Sequence, residues 1–224
     1  MNEAITFPDI KTVEFAEFYG ILLGDGCIYS NLNGICISGN SILDKDYIEN
    51  YVAGLIKSLF NINPKIYFSK KEKSIRCVIY NRDIVRFLLS LGFPLGIKKN
   101  KNPKIPDSFF KNKDLLKTCI RGLQDTDGSL YPQSNVKIIL DICIKTPSLL
   151  ESTKKAFEKI KFKINYTHNR IYLCGERDVS LFMAEIGSSN LRNILKYKIF
   201  LEKGKVPKSS EIEKFLRENR ELNH

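Results

Sequence analysis

Apolar residues recur along this chain with two different periods. Ile138, Leu140, Ile142 and Ile144 alternate with Lys137, Asp141, Cys143 and Lys145, Ile139 being the exception. A period of two predicts a strand with one buried and one polar face. Helical spacing dominates residues 47–60, 83–91, 149–160 and 178–186, which read as amphipathic helices. Ser148 and Glu151 have the spacing of a capping box at the head of the third of these. Shorter strand-like stretches at 65–68 with 74–80, and at 163–167 with 170–174, predict two more hairpins. A last helix is expected over 210–219, capped by Ser210 and Glu213, and its mixed charges predict a solvated surface helix.

This order of elements occurs twice. Residues 18–30 read FYGILLGDGCIYS and residues 120–132 read IRGLQDTDGSLYP, with Asp25 and Asp127 lying 102 positions apart (127 − 25). Downstream, Ile35-Cys36-Ile37-Ser38 is matched to Ile142-Cys143-Ile144-Lys145. The fold class is therefore read as α+β, two pseudo-symmetric αββαββα halves. The first half is assigned to 1–95, a Pro- and Lys-rich linker to 96–111, the second half to 112–204 and a helical tail to 205–224.

Gly20 and Gly24 lie at i and i+4 on one helix face, as do Gly122 and Thr126. Small residues so spaced let two helices approach more closely than the usual spacing of about 8–10 Å. Crossing there would bring Asp25 and Asp127 together at the helix C-termini, with Gly26 and Gly128 supplying permissive backbone to end each helix. Two converging carboxylates make a strongly negative spot that suits a hard cation such as Mg²⁺.

The formal charge of +11 predicts a polyanionic partner. No apolar run approaches the roughly 20 residues that span a bilayer, and the opening Met1-Asn2-Glu3-Ala4 predicts no secretory signal. The six cysteines form no CxxC pair and read as reduced, mostly buried small hydrophobes. With two histidines, catalysis must rest on carboxylates, lysines, water or metal.

Phe18–Gly26 (FYGILLGDG) and Ile120–Gly128 (IRGLQDTDG) resemble the nine-residue LAGLIDADG motif. Their pairing and spacing, over nearly the whole chain, are similar to the monomeric LAGLIDADG homing endonucleases. Phe18-Tyr19 replaces Leu-Ala in the first copy and Arg121 replaces the alanine in the second. Leu23 stands where the motif has its first aspartate, which Asp125 keeps, and both copies retain the last one.

The resemblance implies central LAGLIDADG helices under saddle-shaped antiparallel sheets that face DNA. It implies a site-specific, intron-encoded nuclease, a monomer without an obligate protein partner. Its substrate would be double-stranded DNA with a long, partly degenerate target, cut across the minor groove to leave short 3′ overhangs. The implied metal set is Asp25, Asp127, Gly24 and Thr126, binding Mg²⁺, with Mn²⁺ substituting and Ca²⁺ supporting binding without cleavage. One basic residue per half is implied beside the phosphate: Lys98 in the first and Lys196 in the second, with Lys99, Lys101, Lys104 or Lys198 as alternatives. Asn40 and Lys145 end the second strands, near the expected water.

Even steps from each aspartate nominate Tyr29, Asn31 and Asn33, then Tyr131, Gln133 and Asn135, for base readout. The polar strand faces add Ser38, Lys137 and Asp141, and the second hairpins add Lys65, Tyr67, Arg76, Arg170 and Tyr172. Lys70, Lys71 and Lys73 are placed on phosphates. The rivals are an intron RNA maturase, a catalytically silent DNA-binding protein of the same fold and an intein's endonuclease domain. Two intact aspartates disfavour the first two, and the lack of flanking splicing segments disfavours the third. An intracellular location is expected, in cytoplasm or an organelle matrix.

Overall fold

The computed structural model describes residues 4–96, 98 and 101–221, the last two by backbone alone. Two long helices form its axis. Helix α1 (Val13–Asp25) starts where the Thr12 hydroxyl accepts from the Phe15 amide, and α4 (Lys113–Asp127) where Asn112 caps Asp114. Helix α1 is buried from Phe15 to Leu23 on every side. It packs on α4 through the small residues. A Cβ on Gly20 would collide with the Cys119 carbonyl, and one on Gly122 with the Glu17 carbonyl.

Each axial helix runs straight into the edge strand of its own antiparallel sheet. The first sheet, ordered β1-β2-β4-β3, contains β1 (Gly26–Ile28), β2 (Ile35–Asn40), β3 (Lys65–Ser69) and β4 (Ser74–Ile79). The second, ordered β5-β6-β8-β7, contains β5 (Gly128–Gln133), β6 (Val136–Cys143), β7 (Asn165–Tyr166) and β8 (Arg170–Cys174). Behind the first sheet lie a π-helical stretch, Tyr47–Val52, continuing into α2 (Ala53–Phe60), and α3 (Arg82–Ser90). Behind the second lie α5 (Pro147–Lys159) and α6 (Glu176–Glu185). Ile138, Leu140, Ile142 and Ile144 are buried, as their alternation predicts. The α+β, two-halved reading holds.

Several local expectations do not. Gly26 and Gly128 adopt extended backbone, with φ of −87° and −98°, so they serve no left-handed helix end. They are needed for closeness: a Cβ on Gly26 would lie 2.6 Å from Leu22 Cα, and one on Gly128 3.0 Å from the Asp141 carbonyl. The repeats also align two residues differently. Gly26 pairs with Ile37 and Gly128 with Ile142, so Ile37 answers Ile142 and Asn40 answers Lys145. The Ser148/Glu151 capping box does not form. Helix α5 begins at Pro147, Ser148 donates to the Pro103 carbonyl at 2.9 Å, and Glu151 pairs with Lys154.

Sequence periodicity missed α7 (Leu191–Lys203) altogether. The tail helix α8 (Ser209–Glu221) is capped by Glu211 on the Lys208 amide, and Glu213 pairs with Arg217. It is not a solvated surface helix, because Ile212 and Leu216 are buried. The expected linker also packs: Ile105 and Phe109 are buried, and the Phe109 ring lies 5.9 Å from that of Tyr19.

Candidate active site

The C-termini of α1 and α4 end side by side. A Cβ on Gly24 would stand 3.5 Å from Asp127 Oδ2, so the second-half carboxylate reaches the last turn of the first-half helix. Asp25 is exposed and Asp127 half-buried at these helix ends. Crowding by protein lifts the Asp25 pKa to about 7, helped by the charges of Asp127 and then Asp44 and opposed by Lys98 and Arg192. Desolvation lifts Asp127 to about 6 against Lys98 and Lys145.

Lys98 lies near enough to both carboxylates to couple to each. Its ammonium donates to the carbonyls of Leu22 at 3.1 Å and Leu23 at 2.7 Å, and to that of Gly24. Those carbonyls form the negative end of α1, where a cation is favoured. Burial lowers the Lys98 pKa while Asp127 and Asp25 counter it.

Behind the aspartates a polar network ties the halves together. Glu17 on α1 accepts both guanidinium arms of Arg121 on α4, and the Ser189 hydroxyl at 2.7 Å. Asp125 is buried, with a pKa raised by desolvation to about 7. It accepts the Ser188 hydroxyl, the Ser189 amide at 2.7 Å and Asn193 Nδ2 at 3.3 Å. Asn190 donates to Asp44 at 2.9 Å and to the Asp125 carbonyl at 3.0 Å. Arg192 pairs with Asp44 at 3.0 Å. Thus Arg192, from the second half, acts electrostatically on Asp25 in the first.

No family model matches the chain. It is 26% identical over 197 residues to the replication factor C small subunit of Methanocaldococcus jannaschii, covering 82% of this chain and 10% of that one. It is 27% identical over 128 residues to an A-type ATP synthase polypeptide of Pyrococcus abyssi, 57% of this chain and 12% of that one. The chain thus spans about a tenth of the length of the curated relatives it matches. Among solved structures, I-DmoI in complex with DNA and Mn superposes with a TM-score of 0.54 at 18% identity, over 82% of this chain and 100% of that one. Full-length WhiA from Thermatoga maritima gives 0.53 at 15%, over 95% and 68%. The LAGLIDADG homing endonuclease I-LtrWI, bound to target DNA, gives 0.50 at 13%, over 85% and 91%. The chain has the LAGLIDADG fold.

In this LAGLIDADG fold, the polar sheet faces carry many of the expected DNA-facing residues. Ser38, Arg76 and Tyr67 lie in one row across the first sheet, and Cys36, Val78 and Lys65 in the next. Asp141 pairs with Ser129 and Tyr172 across the second sheet, and Cys143 with Arg170. Asp141 is buried beneath its ion pair with Arg170, which leaves the arginine as the outward group. Tyr131 and Gln133 lie on β5 around a bulge, and Lys137 is exposed on β6. Lys70, Lys71 and Lys73 are exposed in the β3–β4 turn.

Other nominated residues lie elsewhere than the even-step count put them. Strand β1 stops at Ile28, so Asn31 and Asn33 sit in a turn. Asn31 Oδ1 accepts the Asn33 amide, and Asn33 Oδ1 accepts Arg82 at 3.0 Å. Asn135 is likewise in a turn, and Asn40 Oδ1 caps the amides of Ile42 and Leu43. Thr126 folds its hydroxyl onto the carbonyls of its own helix, 3.0 Å from both Gly122 and Leu123.

The structure does not bring Lys196 to the aspartates. It is buried on α7, donating to the Leu130 carbonyl at 3.1 Å and to Ser209 at 3.2 Å, and its charge couples to Asp141. Lys145 and Arg192 are the second-half cations that couple to the pair. One signal for Arg192 was present. Leu91-Gly92 matches Ile186-Gly187, and counting on from these glycines reaches Lys98 after six residues and Arg192 after five (98 − 92 and 192 − 187). Of the alternatives, Lys101 and Lys198 are exposed, Lys104 pairs with Asp107 at 2.8 Å, and Lys99 lies outside the described residues.

Proposed function

We propose that this chain is a site-specific, divalent-metal-dependent endonuclease that cuts both strands of double-stranded DNA and leaves short 3′ overhangs. The observation that carries this reading is the convergence of Asp25 and Asp127 at the ends of one tight helix pair, with Lys98 beside both. Among the described residues no group of three His, Cys, Asp or Glu side chains is placed to hold a metal. The donor set is therefore two carboxylates, Asp25 and Asp127, completed by the carbonyls of Gly24 and Thr126. All are oxygens, and the repulsion from Asp127 that adds to desolvation in raising the Asp25 pKa is what a bound cation would relieve.

Held by Asp25, Asp127 and the two carbonyls, a divalent ion would supply charge stabilisation to the oxygens of the phosphodiester. Lys98 and Lys145 neutralise the phosphate and favour loss of a proton from water near each carboxylate. Arg192, paired with Asp44, and Lys98 both favour the ionised form of Asp25 against its crowding. Mg²⁺ is the proposed ion. Mn²⁺ and Ca²⁺ accompany DNA in complexes of I-DmoI, which supports the same oxygen chemistry here. One half supplies each sheet and each aspartate, so the working unit is a monomer, with a sedimentation mass of 25.8 kDa.

The test is cleavage of a library of long random duplexes with Mg²⁺, followed by sequencing of cut ends. Asp25→Asn and Asp127→Asn keep side-chain shape but remove the charge, so each should abolish double-strand cutting while binding in Ca²⁺ survives. Parental cutting by both variants would refute the site. Binding by the parent without any cutting would leave a silent DNA-binding protein, a reading compatible with the likeness to WhiA.

A further inference from the structure

The open face of the first sheet carries a cleft that the nuclease chemistry does not use. It measures about 240 Å³ and is walled by Tyr29, Tyr67 and Tyr80, floored by Val78 and closed at one end by Arg76. Gly34 makes it possible. Placed between Tyr29 and Tyr80 in the sheet, it has no side chain, so the two rings meet across it at 6.3 Å between centroids. A Cβ at Gly34 would collide with the Ile79 carbonyl and stand 3.2 Å from Tyr80 Cα. Lys65 lies 5.8 Å over the Tyr80 ring.

These rings are left open to solvent: Tyr67 is 44% exposed and Tyr80 52%. The second half opens a wider cleft of about 680 Å³ in the corresponding place, lined by Tyr131, Arg170 and Tyr172 among others. By register, Gly34 and Tyr80 correspond there to Ile139 and Cys174, so the close ring pair across a glycine is confined to the first half. An intact duplex offers this surface base edges and phosphates but no base faces. Exposed aromatic rings flanked by cations fit a base face and its phosphate.

We propose that this cleft stacks one unstacked base of a DNA strand, so that the first half favours sites where a base leaves the helix. The inference rests on the DNA-binding reading above but not on cleavage. The charge of the neighbourhood favours it, because Lys70, Lys71 and Lys73 are exposed in the adjoining turn.

The experiment compares a duplex carrying a single unpaired 5-iododeoxyuridine with the same duplex fully paired, by anisotropy in Ca²⁺ and by photo-crosslinking. The bulged duplex should bind about tenfold more tightly, within the range of one base–aromatic stack. Crosslinks should map to Tyr29, Tyr67 or Tyr80. In Tyr80→Leu, checked for an unchanged melting temperature, the preference should vanish while affinity for the paired duplex holds. Equal affinity for both duplexes, crosslinks on the second sheet, or a preference that survives Tyr80→Leu would overturn the proposal. If neither duplex binds, the nuclease reading falls with it. If DNA is cut but the bulge gives no advantage, this inference alone falls.

Discussion

Gly122→Ala probes the helix pair that carries both aspartates. A methyl group there would press on the Glu17 carbonyl and stand 2.8 Å from the Ile21 amide nitrogen. Both are backbone atoms of a helix buried on all sides, so neither can rotate away and the helices must separate. Overpacking of a core costs about 1–3 kcal/mol, against roughly 1 kcal/mol that alanine gains over glycine inside a helix. Two backbone atoms are struck at once, which puts the cost at the upper end and the net loss at about 2 kcal/mol. For a chain this size that is a fall of about 4–8 °C in melting temperature. Gly54 supplies the control, because a Cβ there meets nothing within 4 Å. Gly54→Ala should raise the melting temperature by about 2–4 °C from helix propensity alone. Thermal unfolding followed by circular dichroism, with urea titrations to check the m-value, measures both. Equal stabilisation by the two substitutions would refute the close helix contact.

Lys196 gives a pH signature. Unfolded, it keeps its proton to about pH 10.4, whereas burial lowers its folded value to about 8. Stability should therefore rise with pH between these values, by about 1–3 kcal/mol after allowing for residual solvent contact. Lys196→Met should lose this rise, and a profile parallel to the parent's would show that the lysine stays charged when folded. Arg192→Met strips the cation from a largely buried Asp44 and should cost about 3 kcal/mol. Adding Asp44→Leu should recover part of that loss in urea unfolding, and full additivity would deny the coupling. Replacing Lys70, Lys71 and Lys73 together with alanine should flatten the salt dependence of DNA affinity without changing the preferred sequence. An unchanged slope would place phosphate contacts elsewhere.

The axis of the fold was legible because its signals are local. Small residues at i and i+4, Asp-Gly at each helix end and a repeat of the whole element order are all written in short strings. What escaped depends on long-range pairing. The strings Ile35–Ser38 and Ile142–Lys145 look alike, yet hydrogen bonding to Gly26 and Gly128 sets the register two residues away. The capping boxes at Ser148 and Ser210 were displaced by Pro147 and by Glu211 on the Lys208 amide. Helix α7 carries Asn193 and Lys196 on its buried face, polar residues that blur its apolar stripe. The cations near Asp25 and Asp127 were hardest to choose, since a lysine-rich stretch offers many and only docking decides which one arrives.

The 187–190 loop bears on how such proteins can be recombined. It belongs to the second half by sequence, yet its side chains satisfy Glu17 and Asp44 of the first as well as Asp125 of its own half. In a chimaera that joins the first half of this chain to a foreign second half, buried Glu17 would lose Arg121 and Ser189, and buried Asp44 would lose Asn190 and Arg192 and keep the Asn40 amide. Swapping halves to assemble new target specificities therefore requires Glu17, Asp44 and Arg121 to travel with the 188–193 segment. The unit of exchange is the half plus its interlocking loop, and a cut drawn at the midpoint of the sequence divides it.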